Sequence, residues 1–149
     1  LKQIGELEFY DKTRQELHLK ESARKLQQIH LAKNKLNKSV FDYGLSLMKR
    51  GYTVVLLSKN IPHQFKVEVR SLNVHKYYPY IVNTSELGLP KASRQTMRYL
   101  LKKYHAKPKQ TVIIDDQNFN LPPAKQMGIR TIHYKNFQDF KKKLEKIIS

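Results

Sequence analysis

Residues 111–134 read TVIIDDQNFNLPPAKQMGIRTIHY, and this stretch decides the fold. Thr111 to Ile114 is an apolar run of strand length that stops on two adjacent carboxylates, Asp115 and Asp116. Pro122 to Met127 then reads as a short helix, and Arg130 to His133 as a second strand. An unbroken apolar strand, rather than an alternating one, belongs in a parallel sheet covered on both faces.

The same rhythm extends in both directions. Downstream, Asn136 is placed to cap a last helix carrying Phe137, Phe140, Leu144 and Ile147 at helical spacing. Upstream, Ser93 caps a helix with Met97, Leu100, Leu101 and Tyr104, and Pro108 follows its end. Tyr80 to Val82 is a short strand, Gln64 to Asn73 a helix, and Tyr52 to Leu57 a buried strand. Ser39 is placed to cap the preceding helix, with Gly51 just past its end in the position of a left-handed stop. A further helix is expected over residues 21–35. Residues 4–19 alternate apolar and polar on both sides of Asp11-Lys12, which predicts a β-hairpin turning near Asp11 to Arg14. The fold class expected is therefore α/β with a parallel central sheet. It forms one domain over 1–149, a hairpin flap at 1–20 leading a core at 21–149.

Composition narrows the function. The chain has 149 residues, is 40% hydrophobic and has no cysteine. That excludes a disulfide framework and any cysteine-thiolate mechanism within it, and fits a reducing, cytoplasmic setting. No apolar run approaches the roughly 20 residues needed to span a bilayer as a helix. The start, Leu1-Lys2-Gln3, carries no initiator Met and no signal-peptide core, so a processed fragment is expected. The formal charge of +17 marks attraction to polyanions. Its lysines are spread along the chain, without an arginine-rich arm or an aromatic RNA-binding motif, so it is a weak nucleic-acid signal.

Ligands of such sheets bind beyond the carboxyl ends of the strands. Strand 52–57 runs into Ser58-Lys59-Asn60, strand 80–82 into Asn83-Thr84-Ser85, and strand 111–114 into Asp115-Asp116. With Lys91 nearby, a hydroxyl, a lysine and two carboxylates are expected on one rim. Adjacent carboxylates favour a divalent cation, and Mg2+ suits carboxylate and water oxygens. A lysine and hydroxyl beside a metal form an anion site suited to phosphoryl transfer. Each feature alone has a plainer explanation: an Asp pair after a strand is often a turn or cap, and Ser58 could cap the next turn. Their shared edge and order lift the combination.

Three of these stretches are similar to known motifs. GYTVVLLSKN (51–60) resembles the second motif of the haloacid-dehalogenase superfamily, and NTSELGLPK (83–91) resembles the third. VIIDDQNFNLPPAKQMGIRTIHY resembles the fourth, written D-D-x-x-x-N with Ala-Lys and Gly following. The likeness covers roughly residues 40–148. It implies a three-layer Rossmann-like fold and a Mg2+-dependent phosphohydrolase working through an aspartyl-phosphate. In that frame Ser58, Lys59, Asn60 and Lys91 would hold the phosphoryl group, and Lys91 would orient the acidic pair. Asp116 would touch the metal, Asp115 would act through water or Lys91, and Asn120 would brace the loop. The third motif departs from its commonest form, since Lys91-Ala92-Ser93 stands where Lys-Pro-Asp is usual.

A leading hairpin with a small cap or none looks like the magnesium-dependent phosphatase family, which is linked to phosphotyrosine and sugar-phosphate substrates and has relatives among secreted effectors. The substrate class implied is thus a phosphorylated protein or small molecule. The superfamily's D-x-D-x-T motif is absent. Around Asp11, Phe9 stands where the nucleophile belongs, and the alternating run Glu6 to Phe9 does not suit a central strand. The first strand and its nucleophile are therefore expected upstream of Leu1. The competing reading is an inactive relative serving as a basic module for RNA, ribosome or an anionic membrane.

Overall fold

The computed structural model describes residues 5–33 and 35–149. It contains α1 (Glu6–Glu16), α2 (Ala23–Lys33), α3 (Lys38–Lys49), β1 (Leu56–Ser58), α4 (Pro62–Ser71), β2 (Ile81–Asn83) and α5 (Arg94–Lys103). Then follow β3 (Val112–Asp115), α6 (Pro122–Lys125), β4 (Arg130–His133) and α7 (Phe137–Ile148), with 3-10 turns at Val74–Lys76, Pro108–Gln110 and Asn118–Asn120.

The chain divides into two compact units. The first takes Leu1–Leu56 and Asn60–Asn83, the second Leu57–Lys59 and Thr84–Ser149.

In the first unit the expected N-terminal hairpin does not form: residues 6–16 are helix α1. Residue 4, where the hairpin was to begin, lies outside the described residues. The physical reason lies in the side-chain spacing. Lys12 pairs with Glu8 at i,i+4, Arg14 with Asp11 at i,i+3, and Gln15 donates to Asp11 at i,i+4. Such pairs support helix, and no Gly or Asn occupies residues 11–14 to make a tight hairpin turn. Tyr10 is buried, its ring edge-on to His30 of α2 at 6.0 Å. The lead element is thus a helical pair, α1 with α2. The resemblance to the magnesium-dependent phosphatase family loses its hairpin and keeps only the similarity of the ending, residues 128–147.

The remaining core of this unit gathers Tyr43 and Leu47 of α3 with Val74, Tyr78 and Val82. Tyr78 Oη donates to the Phe41 carbonyl at 2.6 Å and passes over Gly44, where any Cβ would collide with the hydroxyl. Helix α3 starts one residue before the expected Ser39 and is capped by Asn37, whose side chain accepts from Val40 N. It ends before Gly51, which takes the expected left-handed φ of +88°.

In the second unit β3 and β4 pair in parallel, Val112 with Arg130 through Asp115 with His133. Ser93 and Asn136 cap α5 and α7 as expected, accepting from Thr96 N and Asp139 N. Met97, Ala124 and Ile129 form a buried cluster against which Leu57, Leu101, Ile113 and Met127 pack. β1 lies in a different sheet from β3 and β4; Thr84 N donates to Ser58 O within this unit, and Leu56 N to Tyr80 O within the first. Leu57 of β1 and Ile113 of β3 therefore share one core while their strands lie in different sheets.

Candidate active site

β3 delivers Asp115 to the carboxyl end of the β3–β4 ladder, where the side chain is 3% exposed. Three partners converge on it. Lys91 Nζ lies 2.8 Å from Oδ2, while Oδ1 accepts from Gln117 N at 2.8 Å and Asn120 Nδ2 at 3.0 Å. Burial by itself pushes this carboxyl up, but the Lys91 hydrogen bond, the Asn120 amide, the Gln117 N–H and the Lys91 charge together outweigh it. The net effect holds Asp115 below the ordinary carboxylate value. Asn120 is itself buried and also donates to Gln117 Oε1 at 3.1 Å. The fourth-motif loop is thus a closed polar knot, with Asp115 ionised at its centre.

Asp116, next along the chain, is exposed. Its backbone is fixed from β4: His133 Nε2 donates to Asp116 O at 2.9 Å, and Tyr134 N donates to Asp115 O at 2.9 Å. The two carboxylates therefore differ in kind, one buried and ion-paired, the other on the surface with a pinned main chain.

Ser58 closes β1, and Lys59 is exposed after it. Ser58 O accepts from Thr84 N, which opens the third-motif turn; Leu87 N and Leu89 N both return to Thr84 O. Among the described residues Ser58 Oγ bonds to neither Lys91 nor Asp115. Asn60 spends its side chain within the chain, Nδ2 donating to Glu68 Oε2 at 2.9 Å and Oδ1 accepting from Ile61 N at 2.9 Å.

Two residues escaped the sequence reading. His133 ends β4 at the same carboxyl edge as Asp115, so the strand-end rule that selected Ser58 could have selected it. Thr84 is wholly buried and its Oγ1 has no hydrogen-bond partner among the described residues. Nothing in the sequence signalled that orphan.

As a metal site the donor set fits a hard cation in part. Among the described residues no group of three His, Asp or Glu side chains converges. Mg2+ needs only one or two carboxylates, because it keeps several waters and takes phosphate oxygens. Asp116 could supply such a ligand, and Asp115 only while sharing its charge with Lys91.

The profile of the haloacid dehalogenase-like hydrolase family matches residues 2–134. The chain belongs to that family. It is 25% identical over 121 residues to mouse bifunctional epoxide hydrolase 2, covering 78% of this chain and 22% of that protein. It is 27% identical over 124 residues to D-ribitol-5-phosphate phosphatase of Bacteroides thetaiotaomicron, covering 78% of this chain and 59% of the relative. The chain thus spans only part of these curated relatives. A crystal structure of a haloacid-dehalogenase family enzyme from B. thetaiotaomicron, solved as a magnesium complex, superposes with a TM-score of 0.74 at 22% identity. That superposition covers 89% of this chain and 70% of the other. The Rossmann-like α/β architecture expected for the family is accordingly the fold of this chain.

Proposed function

We propose that these residues form the phosphoryl- and metal-binding half of a Mg2+-dependent phosphatase acting on a phosphomonoester. The observation that carries the reading is the Lys91–Asp115 pair beside the exposed Asp116 at the end of β3. Family membership supports it, as does likeness to a protein named for hydrolysing a sugar-alcohol phosphate. That likeness favours a small phosphorylated metabolite as substrate over a phosphotyrosine protein.

In this reading Ser58 Oγ and the Lys59 ammonium hold phosphoryl oxygens, and Lys91 offsets their charge while keeping Asp115 ionised. Asn60 braces the loop rather than reaching the substrate. Asp116 is the direct metal ligand, and Asn120 holds Asp115 in place. Bound Mg2+ would offset negative charge on the phosphoryl group. The attacking carboxylate belongs to a segment outside these residues. It forms the aspartyl-phosphate as the alcohol leaves, and water then releases inorganic phosphate.

The sheet supports that division. β3 is hydrogen-bonded to β4 and lies in a different sheet from β1, although Leu57 and Ile113 pack on one cluster. A third parallel strand between them would pair backbone edges that are otherwise costly to leave open. The test is release of phosphate from p-nitrophenyl phosphate and sugar phosphates by the intact protein with and without Mg2+. No turnover despite an upstream D-x-D motif would overturn the reading.

One observation favours a second reading, a non-catalytic polyanion binder. Between Glu86 and Asp115 there is no acidic residue, while Lys91, Arg94, Arg98, Lys102, Lys103, Lys107 and Lys109 fall there. Salt-sensitive RNA binding without phosphatase activity would support it.

A further inference from the structure

Within the first unit a continuous set of hydrogen bonds runs from the helical pair to the loop that follows β1. His30 Nδ1 lies 2.7 Å from Tyr10 Oη, and Gln64 Nε2 lies 3.2 Å from His30 Nε2. The same Gln64 nitrogen donates to Glu68 Oε1 at 3.2 Å, and Glu68 Oε2 accepts from Asn60 Nδ2 at 2.9 Å. Asn60 is then closed from its other side by Asn83: Asn60 N donates to Asn83 Oδ1 at 3.1 Å, and Asn83 Nδ2 donates to Asn60 O at 2.9 Å.

Gln64 gives one amide proton to the Glu68 carboxylate and the other to the His30 ring, whose Nε2 and Nδ1 lie 3.2 and 3.3 Å from the amide nitrogen; the ring tautomer sets which of Tyr10 Oη and His30 Nδ1 donates. Tyr10, Gln64 and Asn83 are each under 5% exposed, at 4%, 4% and 3%. A buried polar group left without its partner is costly, so these contacts are held rather than incidental. Glu68, half-buried on α4 and bonded to both Gln64 and Asn60, is not used by the chemistry above.

We infer that Glu68 is a positioning residue for the loop Ser58–Asn60, and that the Tyr10–His30–Gln64–Glu68 chain carries the placement of α1 and α2 to that loop. The inference rests on the phosphatase reading in taking Ser58 and Lys59 as phosphoryl contacts. Asn60 is two residues from Ser58 along the chain, and with its N, O, Nδ2 and Oδ1 all engaged it has one allowed pose. A shift of the helical pair that strains the Tyr10–His30 contact reaches Asn60 through two side chains.

The experiment compares Glu68→Ala, Glu68→Gln and Tyr10→Phe in the intact protein. It reads p-nitrophenyl phosphate kinetics at saturating Mg2+ and amide hydrogen exchange at Lys59, Asn60 and Ile61. Loss of the carboxylate in E68A is expected to raise KM about tenfold with kcat changed less than about threefold, and to speed exchange at these amides about tenfold. E68Q restores both, because the Gln64 amide can turn over and present its oxygen to the new NH2 group. Y10F speeds the same exchange in the wild-type background and adds nothing to E68A, the non-additivity of one connected chain. Unchanged loop exchange in E68A, or additive effects of the two substitutions, would overturn the inference. If the wild type turns over no substrate, the phosphatase reading fails, and the exchange arm alone decides the positioning role.

Discussion

Lys91 Nζ stands 2.8 Å from Asp115 Oδ2, joining the third-motif turn to the end of β3 through an ion pair whose carboxylate is almost fully buried. Much of the electrostatics of the site follows from it. A buried charge losing its partner is penalised more heavily than the pair is rewarded.

The pair predicts a pH signature. The folded Asp115 carboxyl sits below its ordinary value of 3.8. Its contribution to stability is therefore fully present above that value and is lost as pH falls through the lower folded one. Urea midpoints of wild type and Asp115→Asn should differ at pH 6 and draw together toward pH 3. A constant gap would show that the charge on Asp115 contributes nothing.

Asp116→Ala tests the metal role separately from the fold. The side chain is exposed, and among the described residues its main-chain oxygen accepts from His133. The unfolding free energy should stay within about 0.5 kcal/mol of wild type, while Mg2+-dependent turnover of the intact protein disappears. Retained turnover would remove Asp116 from the site.

His133 should matter through the main chain it holds. His133→Ala frees the Asp116 carbonyl and is expected to raise the Mg2+ concentration giving half-maximal rate about 10-fold, in the range seen when supporting partners of metal ligands are lost. His133→Gln places an amide donor near the Nε2 position and should recover most of the loss. Equal behaviour of the two variants would argue that the ring, and not its hydrogen bond, is what counts.

Thr84 carries a buried hydroxyl without a partner among the described residues. Replacing an unsatisfied polar group by an apolar one of the same shape is neutral or stabilising. Thr84→Val should therefore leave the unfolding free energy from denaturant titration unchanged or raise it by up to about 1 kcal/mol. A marked loss would mean that the hydroxyl meets a partner on a segment outside these residues, such as the proposed additional strand.

Most of the fold was legible because its signals are local. Asn136 before Phe137, Phe140 and Leu144 announces α7, and the cap bond to Asp139 N is there. Ser93 and Gly51 announce a start and a stop in the same way. The N-terminus reads as strand because Leu7 and Phe9 alternate with Glu6 and Glu8. What favours helix there is the Glu8–Lys12 and Asp11–Arg14 pairing, together with the packing of Tyr10 on α2. Strand β1 is shorter and later than its apolar run, covering Leu56–Ser58, since pairing along the run depends on a neighbour.

The candidate site divides along the same line. Sequence alone determined which residues stand at strand ends, because a strand's termini follow from its own apolar run and turn residues. It thereby selected Ser58, Asp115 and Asp116, with Lys91 fixed by the motif it closes. Only the tertiary structure decided that Lys91 binds Asp115, that Asp116 is the exposed carboxylate, that His133 holds the Asp116 carbonyl, and that Glu68 holds the Asn60 side chain. These are contacts between residues 8 to 24 positions apart, and their geometry is set by the packing of separate elements, which no local pattern encodes.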